Sequence, residues 1–143
     1  MIGSWIAGAV SGIVFPIFQA KGIYTGDSGD LVTAAVVGGI PHPPGYPLYT
    51  WLGWLASYVP LFTPSWRVTL LSSLSHAATV GLVYALIYRV TRKNVWASIF
   101  GAATLVANYL FFLYSVTPEV FALFDLFVVL LWYVLFVWQE RSY

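Results

Sequence analysis

Two aspartates and a histidine are the most chemically informative residues of a sequence in which only 8% of 143 residues are charged. Asp27 and Asp30 are three residues apart, and His42 follows within the proline-rich stretch PHPPGYPLY. Neighbouring carboxylates raise one another's pKa, so one can act as a base while the other positions it. A stiff turn could hold His42 and Tyr46 against a phosphate or a sugar hydroxyl. Two structural interpretations remain open, helix capping for the aspartates and a rigid elbow for the turn.

Four further polar residues lie in or beside long apolar runs. Arg67 and Glu119 are near the ends of such runs, where Arg67 could face an anionic headgroup and Glu119 could bind substrate or cap a helix. Asp125 lies about two turns into the last run, where a carboxylate costs about 2.5–3.5 kcal/mol, so we expect it to have a partner. His76 is expected to be a packed polar residue. No metal-ligand spacing such as H-x-x-x-H occurs, so no metal site or cofactor is predicted, and a divalent ion is left open.

The composition indicates a membrane protein. Hydrophobic residues make up 60% and aromatic residues 19%, with a mean hydropathy of +0.83. Soluble domains carry about 25% charged residues, so this chain has too few to build a water-facing surface. The net charge of +1 and the lack of a basic stripe argue against a nucleic-acid partner. Cysteine is absent, which excludes disulfides and thiolate chemistry.

The apolar runs predict an all-α integral membrane protein with about four transmembrane helices. A loop over residues 21–64 contains six of the eight prolines and should hold short helices at about 31–38 and at the membrane interface at 49–59. No internal repeat is visible, so residues 1–143 are treated as one transmembrane domain. The predicted spans cover residues 2–20, 65–88, 95–115 and 118–139.

The basic residues predict the orientation. Arg89, Arg92, Lys93 and Arg141 fall on one side of the membrane, whereas the other side has only Lys21 and Arg67. The side richer in Lys and Arg is usually cytoplasmic. Both termini are therefore predicted to be cytoplasmic, and the loop over 21–64 is predicted to face the periplasm, cell exterior or ER lumen. A bacterial plasma membrane and the ER both fit this multi-pass arrangement.

Several motifs, in order, resemble a membrane family whose animal relatives are protein O-mannosyltransferases. This family is similar to the GT-C glycosyltransferase superfamily, in which a proline-rich segment also follows an acidic first external loop. The motifs span nearly the whole chain, and the proline-rich one is the most specific. They read GDSGDL over 26–31, AA over 34–35, HPPGYPLY over 42–49, LLSSL over 70–74 and EVFAL over 119–123.

The resemblance implies the N-terminal part of a GT-C fold with many more than four spans. It implies a polyprenyl-phosphate sugar as donor, a mannose-like hexose being possible, and a protein or glycan hydroxyl as acceptor. Asp27 matches the first acidic residue of the family's motif, which the resemblance implies acts on the acceptor, whereas Asp30 stands where relatives usually carry Glu and Phe121 where they often carry Tyr. The chain has a third or less of a usual member's length, so we expect a fragment that is inactive alone.

The expected mechanism is direct glycosyl transfer at the outer membrane face. Asp27 would deprotonate or orient the acceptor hydroxyl, and Arg67 and His42 would offset the charge that develops on the leaving phosphate. Two alternatives remain. A transporter or lipid-sugar flippase could use Asp125 and His76 as a polar path. A structural subunit could pair with other helices through small residues of the second span, namely Ser72, Ser73, Ser75 and Gly81.

Overall fold

The structure is a computed structural model that describes residues 2–142, and within them it contains helices and no strands. The predicted all-α class is confirmed. In chain order the helices are α1 Ile2–Phe18, α2 Ser28–Val37, α3 Pro47–Ser57, α4 Pro64–Val90, α5 Val95–Ala107, α6 Tyr109–Val116 and α7 Phe121–Arg141.

The long helix α4 is the centre of the fold, because it packs against each of the other six. Its approach to α1 is close. A Cβ atom at Gly81 would lie 2.9 Å from the carbonyl oxygen of Ser4 and 3.5 Å from the Cα atom of Gly8. Small residues allow such contacts between helices in a bilayer, where van der Waals packing holds them together. The close packing expected of Gly81 therefore occurs within this chain.

One face of α4 is polar and buried. Five of its hydroxyl groups donate hydrogen bonds to backbone carbonyls, for example Ser65 to Gly22 over 2.9 Å and Ser73 to Ser115 over 2.6 Å. Hydrocarbon offers no partner to a polar group, so these bonds offset a cost of several kcal/mol per group. The five donors are Ser65, Thr69, Ser72, Ser73 and Thr79.

The helices are those of a membrane protein. Both α4 and α7 are long and apolar enough to cross a membrane, and α5 with α6 would make a third span bent by 68°. The apolar α1 has 17 residues, a rise of about 26 Å against a hydrocarbon core of roughly 30 Å. Large apolar side chains of α7 such as Phe124, Leu131 and Trp132 are exposed, as lipid contact allows. The expected total of four spans stays a prediction, with α1 as the first.

The helix expected to run unbroken over 95–115 is interrupted at Asn108. The side-chain oxygen of Asn108 accepts a hydrogen bond from the backbone N–H of Phe111 over 3.1 Å, which caps α6. An amide side chain that caps a new helix competes with continuation of the preceding one. The two helices α5 and α6 therefore meet at an angle.

The last helix starts later than predicted, at Phe121 instead of Pro118. The Ser72 hydroxyl donates to the Glu119 carbonyl over 3.1 Å, and its oxygen accepts the Glu119 N–H over 3.2 Å. Both backbone groups of Glu119 are thereby bound to α4, and residues 117–120 stay outside the helix.

The bundle has two distinct ends. The first, which we call the loop end, carries α2, α3, residues 117–120 and the first turn of α4, where Ser65 contacts Gly22. The second, which we call the basic end, carries the last turns of α4 and α7. There Nη1 of Arg89 lies 2.6 Å from Oε2 of Glu140 and joins these two helices.

Candidate functional site

His42 lies between the two aspartates at the loop end. Its backbone N–H donates to Oδ2 of Asp30 over 2.7 Å, and its ring Nδ1 is 2.7 Å from the same oxygen. On the other side of the ring, Nε2 is 3.6 Å from Oδ2 of Asp27. The side chains are 61% exposed for Asp27, 49% for Asp30 and 36% for His42. We call these three residues the Asp–His–Asp cluster, and a substrate can reach it from solution.

The turn after α2 brings the cluster together. α2 ends at Gly38 in the left-handed conformation, with a φ of 68°, which glycine adopts without strain from a Cβ atom. The chain then folds back over the first turn of α2, and the N–H of Gly45 donates to the carbonyl of His42 over 2.9 Å. The helices pack closely behind it, since a Cβ at Gly53 of α3 would lie 3.0 Å from the Cβ of Ala35.

Helix capping does not account for Asp27. It occupies the N-cap position of α2, but its side chain makes no capping hydrogen bond. The helix begins at Ser28, three residues before the expected start, and places Asp30 in its first turn. A carboxylate gains from the helix dipole there, but the hydrogen bonds of Asp30 go to His42. The aspartates therefore face the turn and not their own helix.

The bonds from His42 separate the roles of the two aspartates. The His42 backbone N–H, and then the ring, hold the pKa of Asp30 below its ordinary value. Asp30 is thus an ionised acceptor at neutral pH, and Nδ1 carries the proton between them. Nε2 consequently points its lone pair, or a second proton in the imidazolium form, towards Asp27. Asp30 fits a positioning role, and Asp27 keeps its carboxylate available.

Glu119 approaches this cluster from the other half of the chain. Burial, and then the negative charge of Asp27, raise the pKa of its carboxyl group. A Cβ atom at Gly26 would lie 3.9 Å from Oε1 of Glu119, so the carboxyl group adjoins the residue before Asp27. α7 begins two residues later with Val120 as N-cap and no side-chain capping bond. Glu119 thus adjoins the cluster and does not cap a helix.

Of the other two candidate residues, Tyr46 contacts the cluster and Arg67 does not. The Tyr46 ring meets the His42 ring edge-on, with 5.5 Å between the ring centroids. Arg67 instead donates from Nε to the Leu61 carbonyl, from Nη1 to the Ser57 carbonyl and from Nη2 to the Phe62 carbonyl. Its guanidinium group fixes the turn between α3 and α4. Within residues 2–142 it makes no ion pair with the cluster.

An apolar groove runs between α3 and α7 beside the cluster, with a volume of about 490 Å³. Tyr46, which contacts His42, forms part of its lining, as does Val120, which follows Glu119. This groove was not predicted from the sequence. A possible signal was the spacing of Phe121, Phe124 and Phe127, which share one face of α7. The lining residues are Tyr46, Pro47, Leu48, Tyr49, Val120, Phe121, Leu123, Phe124 and Phe127.

A second histidine–aspartate pair lies inside the helix bundle. Nε2 of His76 is 3.2 Å from Oδ2 of Asp125, and Nδ1 is 2.8 Å from the hydroxyl oxygen of Ser115. The His76 ring is fully buried and stacks on Phe111, with 3.9 Å between the centroids. Asp125 has the partner that its depth predicted, and His76 is packed as expected. In the described part of the chain, no group of three or more His, Cys, Asp or Glu residues could hold a metal ion.

Comparison with known proteins identifies a family and several relatives. Residues 27–143 match the family described as the protein O-mannosyl-transferase TMEM260 N-terminal domain. The chain is 32% identical over 132 residues to protein O-mannosyl-transferase tmem260 of Dictyostelium discoideum, covering 90% of this chain and 16% of that protein. It is 34% identical over 139 residues to protein O-mannosyl-transferase TMEM260 of Mus musculus, covering 90% and 20%. The chain thus spans a fifth or less of these relatives. No solved structure matches it.

Proposed function

The chain belongs to the TMEM260 N-terminal domain family, and we propose that it supplies the acidic part of the active site of a membrane glycosyltransferase. The relatives are named as protein O-mannosyl-transferases. The proposed reaction moves a mannose-like hexose from a polyprenyl phosphate to a hydroxyl group of a protein or glycan. The observation that carries the proposal is the solvent-exposed Asp–His–Asp cluster at the edge of an apolar groove.

In the proposed reaction, Asp27 takes the proton of the acceptor hydroxyl as its oxygen attacks the anomeric carbon of the sugar. The bond from that carbon to the phosphate oxygen breaks, and the polyprenyl phosphate leaves with the electron pair. Asp30 fixes the ring of His42, and the imidazolium form offers an N–H from Nε2 to Asp27 or to a phosphate oxygen. Glu119 adds a third carboxyl group, next to Gly26, and would face the acceptor beside Asp27.

The apolar groove supports a lipid-linked donor. A polyprenyl chain needs a hydrophobic path that ends where its phosphate meets polar groups, and the groove reaches Tyr46 next to His42. Arg67 would act indirectly in this arrangement, because it holds the turn before α4 through three carbonyls. Its proposed role is therefore to position the loop end.

The test is sugar transfer in proteoliposomes by the full-length protein that carries this segment. With a polyprenyl-phosphate hexose as donor, Asp27→Asn should abolish transfer without loss of membrane insertion. Ser28 is fully buried beside it, whereas Thr25 is exposed, so Thr25→Gln is a suitable control that should leave transfer unchanged. Full activity of Asp27→Asn would exclude Asp27 as the base.

The proposed orientation has the loop end outside the cytoplasm. Thr25 at the loop end and Thr91 at the basic end are both exposed, and the chain has no cysteine. In intact cells an impermeant thiol reagent should label Thr25→Cys and leave Thr91→Cys protected. The reverse pattern would place the cluster in the cytoplasm and contradict the orientation.

The His76–Asp125 pair favours a second candidate function, a transporter or lipid-sugar flippase. Ionisable pairs inside a membrane are common along substrate and proton paths. Dye-release or sugar-lipid flipping assays in the same proteoliposomes distinguish the candidates. Flipping that depends on Asp125 and not on Asp27 would favour the transporter, and transfer that depends on Asp27 would favour the enzyme.

A further inference from the structure

A polar cavity lies at the basic end, between α1, α4 and α7, with a volume of about 420 Å³. Three tyrosines and three cations form most of its lining: Tyr84, Tyr88, Tyr133, Arg89, Arg92 and Lys93. α4, whose 27 residues rise by roughly 40 Å, begins at the loop end and reaches this cavity only in its last two turns. The cavity therefore belongs to neither the cluster nor the apolar groove, and its role is independent of the proposed glycosyltransferase.

The cavity has an excess of positive charge. Glu140 is its one acidic lining residue, and it is already bound to Arg89 over 2.6 Å. The Arg89 guanidinium carbon also lies 5.4 Å from the centroid of the Tyr133 ring. Arg92 and Lys93 are exposed, and neither has a carboxylate partner within residues 2–142. Two cations at the mouth of the cavity are thus uncompensated.

The backbone holds those two cations at the cavity. Arg92 and Lys93 are consecutive non-glycine residues in the left-handed region, with φ of 54° and 72°. Residues other than glycine rarely adopt this backbone conformation, and it persists where surrounding contacts enforce it. Here the N–H of Lys93 donates to the Tyr88 carbonyl over 2.7 Å, and the N–H of Arg92 to the Arg89 carbonyl over 3.2 Å. The turn consequently folds back over the end of α4.

We propose that this cavity is a phosphate-binding site, in which Arg92 and Lys93 bind the phosphate group of an anionic membrane lipid. An excess of basic residues at one membrane side is a common topology signal and needs no cavity. These two cations in addition line a polar pocket between helices together with three tyrosines, a residue type that is enriched where membrane and water meet. Arginine and lysine are suited to phosphate oxygens because both present several charged donors.

The chain offers a matched control for charge. Arg141 is exposed on the last turn of α7 and does not line the cavity. Arg92→Gln and Arg141→Gln remove the same charge from the same membrane side. Ala85 lines the cavity without a charge, so Ala85→Leu reduces its volume and leaves every cation in place.

The experiment uses the 143-residue chain in neutral detergent micelles at about 0.15 M salt, where long-range surface charge is screened. Native mass spectrometry counts bound phosphatidic acid against phosphatidylcholine, and calorimetry measures inorganic phosphate. We expect saturable binding of one phosphatidic acid molecule per chain. The affinity should be about tenfold weaker for Arg92→Gln and for Lys93→Gln, and should change by less than about twofold for Arg141→Gln. Ala85→Leu should weaken binding although it keeps the charge.

Thermal unfolding and gel filtration show whether each variant is folded. If Arg92→Gln or Lys93→Gln does not fold, Ala85→Leu still tests the cavity. Binding of inorganic phosphate with the same dependence on Arg92 would support a phosphate-binding site. It would also show that the site does not require a lipid to supply the phosphate group. Equal losses for Arg92→Gln and Arg141→Gln would overturn the proposal. So would binding without saturation, or full binding by Ala85→Leu, because a diffuse basic surface would explain them.

Discussion

His42 and His76 both contact aspartate carboxylates, and their surroundings differ. In the Asp–His–Asp cluster, His42 is 36% exposed and contacts a carboxylate with each ring nitrogen. In the bundle, His76 is fully buried, stacks on Phe111 and contacts only one carboxylate. The histidine ring is thus open to a substrate at one site and buried at the other, where the Asp125 side chain itself stays 43% exposed.

This difference indicates that the loop-end cluster serves catalysis and that the pair in the bundle serves stability. A general base must reach the proton that it abstracts, which the loop-end cluster permits and the buried ring of His76 does not. A polar group inside a bundle must be paired, and His76 uses both nitrogens for that, on Ser115 and Asp125. We therefore expect substitutions at the loop end to change activity and substitutions in the bundle to change stability.

The largest effect should come from Asp27→Asn. Loss of a positioned base typically lowers a rate by about 10²–10⁴-fold, because the amide cannot accept the proton. Sugar transfer by the full-length protein in proteoliposomes measures this. The midpoint of thermal unfolding should stay within error of wild type, since the Asp27 side chain makes no capping bond. A large drop in that midpoint with normal transfer would reverse the assignment of the two pairs.

The bundle pair should show the opposite pattern with Asp125→Leu. This change leaves Nε2 of the buried His76 without its partner, which costs about 1–3 kcal/mol. Unfolding of the purified chain in detergent should reveal the loss as a lower free energy of unfolding. Asp125→Asn is the matched control, because its amide can still hydrogen-bond to the ring. Equal stability of the leucine and asparagine variants would mean that the pair contributes nothing.

Asp30→Asn should have an intermediate effect, lowering transfer by about tenfold. The neutral amide holds the proton on Nδ1 of His42 less strongly than a carboxylate does, because either its oxygen or its NH2 group can face the ring, so the tautomer is less well fixed. Because the pKa of Asp30 is lowered in the folded chain, its stabilising bonds are present above pH 3.8 and are lost as the pH falls through the lower folded value. Loss of transfer equal to that of Asp27→Asn would assign both aspartates to the chemistry.

The sequence predicted the two long helices well, because apolar runs of that length have one common outcome in a membrane. α4 and α7 lie within three residues of their expected boundaries. The break at Asn108 was not predicted, since a single amide in an apolar run is compatible with a continuous helix. Its cap on Phe111 depends on local geometry that composition does not reveal.

The sequence predicted which residues form the site but not how they are arranged in space. Asp27, Asp30, His42 and Tyr46 are close because a proline-rich turn folds back on α2, and the stiffness of that turn was visible in the sequence. The approach of Glu119 was not visible, because it depends on hydrogen bonds from α4 to a segment far along the chain.

The smallest expected effect concerns Glu119, which adjoins the loop-end cluster and is bound through its backbone to Ser72 of α4. Burial and the charge of Asp27 raise the pKa of its carboxyl group in the folded chain, while His42 opposes them. The folded chain therefore binds this proton more tightly than the unfolded chain does. Below the ordinary value of 4.5 the carboxyl group is neutral in both states, and Glu119→Gln should leave stability unchanged.

As the pH rises through 4.5 and then through the higher folded value, wild type loses free energy of unfolding and Glu119→Gln does not. The variant should therefore be the more stable one at pH 7–8, by less than Asp125→Leu loses. Thermal unfolding from pH 4 to pH 8 measures the difference, and Glu140→Gln at the basic end is the control, with a partner 2.6 Å away in Arg89. A stability difference that falls with rising pH would mean that the Glu119 carboxylate is stabilised by a cation, and the cluster would then hold its charges in a different balance.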